Sequence, residues 1–203
     1  MLNIRDINKA MKGNDSDHFS VDQVEAVGSD LHLIVSMYKC ESASIVGKIC
    51  SWQIICEDMR ESTIGFGSGF TYVRQLKDHP VLFKYNKPYY MIWGPPQLQN
   101  DDELCSRIIY ELLEFLDTYN ARGRIYDFMP QRNGRSENLV HLTFGPQEII
   151  DVYNRVLGSR GFEVTLWPDC QCYTDTGTER ILIFNNPGSG YVVAEKFHVT
   201  RID

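Results

Sequence analysis

Two histidines and two cysteines are the residues whose chemistry could support catalysis. His79 lies in Asp78-His79-Pro80, where a carboxylate directly precedes an imidazole. An imidazole can act as a general base near neutral pH. Adjacent side chains in an extended chain point to opposite sides, however, so Asp78 is poorly placed to orient the ring, and Asp-His-Pro is also good turn chemistry. The spacing favours a turn and leaves a general base as the alternative.

Cys170 and Cys172 form a pair of thiols beside Asp169 in a polar stretch. A thiol that meets His141 or His198 in the fold would be an activated nucleophile, but sequence spacing does not show such a meeting. The strand positions of these histidines are equally typical of structural residues. A zinc site needs four ligands, and no CxxC or HxxxH pair supplies the others, so we predict neither metal nor cofactor.

Three closely spaced glycines, Gly65, Gly67 and Gly69, resemble a phosphate-binding loop. Such a loop must follow a strand and open a helix whose N-terminus faces the phosphate. Here the glycines lead into further strand-like residues, so a bulged or sharply bent hairpin is the better interpretation.

Aromatic residues cluster between residues 72 and 93, with lysines among them. In a two-faced sheet half of these rings point away from the core, where tyrosine and tryptophan favour protein interfaces. Alternatively, both faces are covered and the rings belong to the core. The candidate binding residues are Tyr72, Tyr85, Tyr90 and Trp93.

Three helices are predicted by apolar residues at helical spacing. A short amphipathic helix carries Ile4, Ile7 and Met11. A long helix starts near Asn100, where Glu103 completes a capping pair, and runs to about residue 120. The third opens at Gly145-Pro146, with the proline at its first position, and ends at Gly158.

Strands are predicted by alternation or by short apolar runs between turn residues. The turn Gly28-Ser29-Asp30 joins the first two as a hairpin. The predicted strands are Val21–Val27, Leu31–Tyr38, Ile49–Cys56, Val81–Tyr85, Tyr89–Trp93, Arg124–Phe128, Leu139–Phe144, Glu163–Trp167, Arg180–Phe184 and Tyr191–Val199.

These elements predict an α+β fold. A strand, an aromatic residue, Gly-Pro and a helix occur in that order twice, at Trp93-Gly94-Pro95 and at Phe144-Gly145-Pro146. Two such crossovers would lay both main helices on one face of a mostly antiparallel sheet. We expect residues 1–203 to form one domain, with a meander at about 21–93 and the helix-containing half at about 94–203.

Composition excludes several classes of protein. The chain has 203 residues, a formal net charge of −7, 43% hydrophobic and 12% aromatic residues. It can therefore bury a core, and its negative charge disfavours nucleic acid as a partner. It has no apolar run long enough for a membrane span and no signal-peptide pattern, so we expect a cytoplasmic protein with reduced thiols.

Two functional hypotheses remain. The first is a non-catalytic domain that docks a basic protein partner, as an adaptor or toxin-neutralising protein would, because electrostatic complementarity favours a positive partner. The second is a small hydrolase or transferase whose site assembles only in the fold, with His79, His141, Cys170 and Cys172 as its candidate residues. The sequence leaves the oligomeric state open.

Overall fold

The structure is a computed structural model of the whole chain. It describes residues 4–12, 18–42, 44–88, 90–119, 121–131, 133–136, 138–168, 178–185 and 190–202.

The described residues form four α-helices and three short 3-10 helices. The α-helices are α1 (Ile4–Lys12), α2 (Phe83–Asn86), α3 (Asp102–Asp117) and α4 (Gln147–Gly158). The 3-10 helices are Pro80–Leu82, Pro96–Gln99 and Arg122–Asp127.

Thirteen strands are described, in three sheets. They are β1 (His18–Val27), β2 (Asp30–Glu41), β3 (Ser44–Glu57), β4 (Glu61–Ser62), β5 (Gly69–Phe70), β6 (Tyr72–Leu76), β7 (Tyr90–Gly94), β8 (Asn133–Ser136), β9 (Leu139–Gly145), β10 (Thr165–Pro168), β11 (Arg180–Asn185), β12 (Tyr191–Ala194) and β13 (Lys196–Arg201). All strand pairs are antiparallel, and together with the helices they confirm the predicted α+β class.

The chain divides into two compact units. Unit 1 is Met1–Lys77 with Thr178–Asp203, and unit 2 is Asp78–Gly177. The chain passes from unit 1 to unit 2 at residue 78 and returns at residue 178, because the last three strands pair with strands of the N-terminal region.

Unit 1 consists of two sheets and α1 around one core. The five-stranded sheet has the order β13-β3-β2-β1-β5, and the four-stranded sheet has the order β4-β12-β11-β6. The predicted hairpin is confirmed: β1 pairs with β2 across a turn in which Gly28 has a φ of 64°. In β3 the side chains of Cys50, Trp52, Ile54 and Cys56 are buried, as their alternation predicts.

Unit 2 is a four-stranded sheet with the order β10-β7-β9-β8. Its elements follow the chain as β7, α3, β8, β9, α4, β10, which is the ferredoxin-like, split-βαβ arrangement. Each α3 or α4 crossover joins two parallel strands that are separated by one antiparallel strand.

The two main helices pack against one face of this sheet. The inward stripe of α3 presents Ile108 and Leu112, which share a core cluster with Ile149 of α4. Ile92 of β7 and Leu142 of β9 belong to the same cluster. Since one cluster contains both helices and the central strands, the predicted packing on one face is confirmed.

Residues 81–85 differ from the prediction. They form the end of a 3-10 helix and the start of α2 instead of a strand, so the predicted hairpin with residues 89–93 is wrong. Pro80 supplies a helical φ, and the side chain of His79 accepts a hydrogen bond from the amide of Val81. The cap at His79 and the proline at the first helical position therefore favour a helical turn over the strand that the apolar run predicts.

Three further elements differ from the prediction. The predicted strand at residues 124–128 lies largely in the 3-10 helix Arg122–Asp127. Asp101, rather than Asn100, caps α3, since its Oδ1 accepts from the amide of Leu104 at 2.8 Å. The predicted last strand is divided at Glu195 into β12 and β13, which lie in different sheets.

Candidate functional site

His79 caps the short helical segment in unit 2. Its Nδ1 accepts a hydrogen bond from the amide of Val81 at 3.3 Å, and its side chain is buried. Burial and the charge of Arg124 lower the pKa of His79 to about 4, against the opposing effect of Asp78. The ring is therefore neutral at neutral pH, and one of its nitrogens is engaged in the cap, which agrees with the turn interpretation.

Asp78, the neighbour of His79, belongs to an ion-pair network around Lys87. The Nζ of Lys87 lies 3.4 Å from Oδ1 of Asp78, donates a hydrogen bond to Glu148, and lies 4.4 Å from the centre of the Phe83 ring. Burial alone would lower the pKa of Lys87, but the bond to Glu148 and both negative charges raise it above its ordinary value. Asp78 thus contacts a lysine in a charged surface network.

His141 lies in an aromatic cluster on the unit 2 sheet. Its ring centre is 5.3 Å from that of Trp93 and 4.6 Å from that of Phe144, and Trp93 is 4.9 Å from Trp167. Burial lowers the pKa of His141, although a backbone hydrogen bond with Thr143 opposes the shift. Among the described residues neither Nε2 of His141 nor Nε1 of Trp93 has a hydrogen-bond partner.

The four predicted binding aromatics do not all belong to one unit. Tyr72 is in β6 of unit 1, whereas Tyr85, Tyr90 and Trp93 are in unit 2. The three tyrosines are half-buried, and Trp93 is only 7% exposed. Trp93 is therefore a buried residue and not an exposed anchor.

The predicted cysteine pair, Cys170 and Cys172, lies outside the described residues. His198 is described, and its Nε2 is 2.8 Å from Oε1 of Glu57. Burial and the charge of Asp30 raise the pKa of Cys56 to about 12, so that thiol stays protonated. Within the described ranges no group of three or more His, Cys, Asp or Glu side chains could hold a metal ion.

A projecting β-ribbon in unit 1 is not predicted by the sequence. We define the ribbon as residues 39–41 of β2 with residues 44–49 of β3. The pairing of β1 with β2 ends at Tyr38, and that of β13 with β3 ends at Trp52, so the two ribbon segments continue beyond both neighbouring strands. The register of β2 with β3 shifts after Met37, just before the ribbon, and again after Lys39, within the ribbon, and each shift marks a bulge.

The ribbon exposes three large aliphatic side chains. Ile45 is 58%, Val46 is 53% and Ile49 is 42% exposed. The last described contact of the C-terminal strand with β3 is the hydrogen bond from the amide of Ile202 to the carbonyl of Ser51, and no described strand pairs with the outer edge of residues 44–49. An apolar edge with unpaired amides and carbonyls is a template for another strand.

The signal for the ribbon in the sequence is weak. Ile45, Val46 and Ile49 lie next to a run that is correctly predicted as a strand, and apolar residues there are equally typical of a core. Their exposure follows from where β1 and β13 stop, which no local pattern specifies. The ribbon is thus an exposed apolar strand edge in the described part of the chain.

Among the described helices none has the length and apolar character needed to cross a membrane. Comparisons with protein-family models, with curated proteins and with solved structures find no match to this chain.

Proposed function

We propose that this protein is a non-catalytic, cytoplasmic protein-binding domain of the adaptor or toxin-neutralising kind. It binds an extended segment of a basic partner protein, which pairs as an additional strand with the outer edge of the ribbon. The observation that carries the proposal is the combination of exposed Ile45, Val46 and Ile49 with an edge that no described strand covers.

Strand addition suits this edge for two reasons. The backbone of residues 44–49 offers amides and carbonyls to an incoming strand, which supplies affinity without regard to sequence. The aliphatic side chains add burial, worth on the order of 1 kcal/mol for each side chain that goes from half-exposed to buried. The unpaired edge and the apolar side chains therefore act at the same place.

A basic partner is favoured by the charge of the whole chain. The net charge of −7 attracts a cationic protein over long range and raises the association rate at low ionic strength. The ribbon lysines are themselves close to carboxylates, since Lys39 lies 2.6 Å from Glu41 and Lys48 lies 3.8 Å from Asp22. The ribbon therefore contributes little repulsion towards a positive segment.

The alternative hydrolase or transferase relied on histidines that have structural contacts here. His79 caps the segment that begins at Pro80, and His141 packs between Trp93 and Phe144. These contacts support the binding hypothesis over the catalytic one.

The experiment places a photo-crosslinking amino acid at Val46 in the full chain and irradiates it in lysate of the native host. The crosslinked protein is identified, purified and titrated against the unmodified chain. We expect a basic protein whose affinity falls at least tenfold with Ile49→Lys. Its binding should also slow hydrogen exchange at the amides of residues 44–49.

Val27→Lys is the matched control, because Val27 is an exposed aliphatic residue of β1, 46% exposed and outside the ribbon. It should bind the partner as the unmodified chain does. Equal loss in Val27→Lys and Ile49→Lys, or binding without exchange protection at residues 44–49, would contradict the proposal.

A further inference from the structure

A groove between α1 and β6 of unit 1 is lined mainly by basic residues. Its volume is about 720 Å³, within the range of small-molecule sites. Three lining cations come from α1 and one from β6: Arg5, Lys9, Lys12 and Arg74.

The two sides of the groove are held together by Asn8. Its Nδ2 donates to the carbonyl of Val73 at 2.7 Å, and its Oδ1 accepts from the amide of Val73 at 3.0 Å. Ile4 and Ile7 anchor the opposite side of α1 in the core of unit 1. These contacts attach the helix to β6, and its basic side chains line the groove.

Arg74 is positioned by an aromatic ring. Its guanidinium carbon lies 4.8 Å from the centre of the Tyr72 ring, a cation–π contact that restricts the side chain. A stacked guanidinium keeps its N–H donors in the plane of the group, where they can make paired bonds to phosphate oxygens.

Part of the positive charge has a local explanation. Lys9 and Lys12 lie in the last turn of α1, where cations stabilise the helix dipole, and Lys9 is 3.5 Å from Asp6. Helix stabilisation does not account for Arg74, which comes from β6, far from α1 along the chain. Cations from two elements that meet at one concave surface indicate an anionic ligand.

We infer that this groove binds a small molecule that carries two or more phosphate groups. A phosphate group carries more negative charge than a carboxylate and offers three acceptor oxygens, so a short polyphosphate matches several cations within one small groove. Arg74 contacts the phosphates through paired N–H donors, and Lys9 and Lys12 act as point charges. Tyr72 lines the groove and contacts the guanidinium of Arg74. This site is separate from the ribbon.

The test is isothermal titration of the full chain with sodium tripolyphosphate in 150 mM salt, and in parallel with adenosine triphosphate and with citrate. We expect one saturable site for tripolyphosphate and binding at least tenfold weaker for citrate. Arg74→Gln and Lys12→Gln should each weaken tripolyphosphate binding at least tenfold. Tighter binding of the nucleotide than of tripolyphosphate would identify a nucleotide as the ligand, and equal binding would identify the polyphosphate moiety.

Lys196→Gln removes one exposed lysine of β13, outside both the groove and the ribbon, and serves as the matched control, with affinity expected to stay within twofold. Thermal melts of all three variants verify that the fold is retained. The inference fails if tripolyphosphate does not bind, if citrate binds as tightly, or if Arg74→Gln binds like Lys196→Gln.

Discussion

Tyr153 shows how one buried hydroxyl contributes to unit 2. Its side chain is fully buried, and its hydroxyl donates to the carbonyl of Phe128 at 2.8 Å. Burial raises the pKa of Tyr153 well above its ordinary value, so the hydroxyl remains a donor across the useful pH range. The bond ties α4 to the segment that precedes β8.

We expect Tyr153→Phe to lower the free energy of unfolding by about 1–2 kcal/mol, because it leaves the buried carbonyl of Phe128 without its donor. The measurement is the midpoint of urea unfolding. Tyr110→Phe removes the same atom from a side chain that is 60% exposed and should leave the midpoint nearly unchanged. Equal shifts in both variants would show that the hydrogen bond is not the cause.

His79 predicts a pH dependence of stability. Its pKa in the folded chain is about 4, below the ordinary value of 6.5, so the unfolded chain binds more protons between these values. The stabilisation is complete above about pH 6.5 and is lost as pH falls towards 4. We expect His79→Asn, whose side chain can still cap but does not titrate, to show a smaller loss of melting temperature between about pH 7 and pH 4.

The control for this profile is Gln23→Ala, a substitution at an exposed, uncharged position of β1 outside the helical cap. It should follow the profile of the unmodified chain. Parallel profiles for His79→Asn and the unmodified chain would mean that protonation of this histidine does not drive the loss.

At the scale of elements, α1 is attached to unit 1 by its apolar face and by one side-chain amide. Ile4 and Ile7 are buried, and Asn8 makes both of its hydrogen bonds to the backbone of Val73. This amide occupies the position that a neighbouring strand would otherwise take beside Val73. The attachment explains how a nine-residue helix, too short to be stable alone, keeps its place.

We expect Asn8→Ala to cost about 1–3 kcal/mol, since it leaves a backbone amide and a carbonyl of β6 without partners. Hydrogen exchange at the amide of Val73 should accelerate before that of the β2 and β3 amides changes. Gln23→Ala, at an exposed position of β1, is the comparison and should leave exchange at Val73 unaltered. Slow exchange at Val73 in the Asn8→Ala variant would show that Asn8 does not hold the helix.

Local sequence patterns predict some of the helices and strands correctly and others wrongly. α4 ends at Gly158, as predicted, because its apolar stripe acts within a few residues. It begins at Gln147 and not at the predicted Pro146, because Pro146 has an extended backbone, with a ψ of 179°, and is the N-cap. The prediction of a strand at Val81–Tyr85 is wrong, since an apolar run does not distinguish a strand from a helical turn. The deciding contact is the bond from the Val81 amide to His79, which a histidine seldom provides at a cap.

At the scale of the whole molecule, unit 2 is an insertion between two paired strands of unit 1. β6 ends at Leu76, β11 begins at Arg180, and Leu76 pairs with Ile181. The chain therefore leaves and re-enters unit 1 at neighbouring points of one antiparallel ladder. A short turn can close such a ladder.

We expect unit 1 to fold when residues 78–177 are replaced by a four-residue glycine-rich turn, because each of its strand pairs is formed within unit 1. The measurement is a thermal melt by circular dichroism together with hydrogen exchange at the amides of β6 and β11. A cooperative melt with protected amides would support independent folding. A chain without a cooperative transition would show that unit 1 needs unit 2.

The α+β class, the apolar stripes of α3 and α4, and the buried face of β3 can be predicted from the sequence, because side-chain periodicity is a local property. Local patterns do not specify which strands pair, where β1 and β13 stop and leave the ribbon exposed, or that Arg74 and the basic side of α1 line one groove. These features depend on contacts between residues far apart in the chain. Both proposed binding surfaces depend on such contacts. The ribbon is exposed because β1 and β13 stop short of it, and the groove forms because α1 packs beside β6.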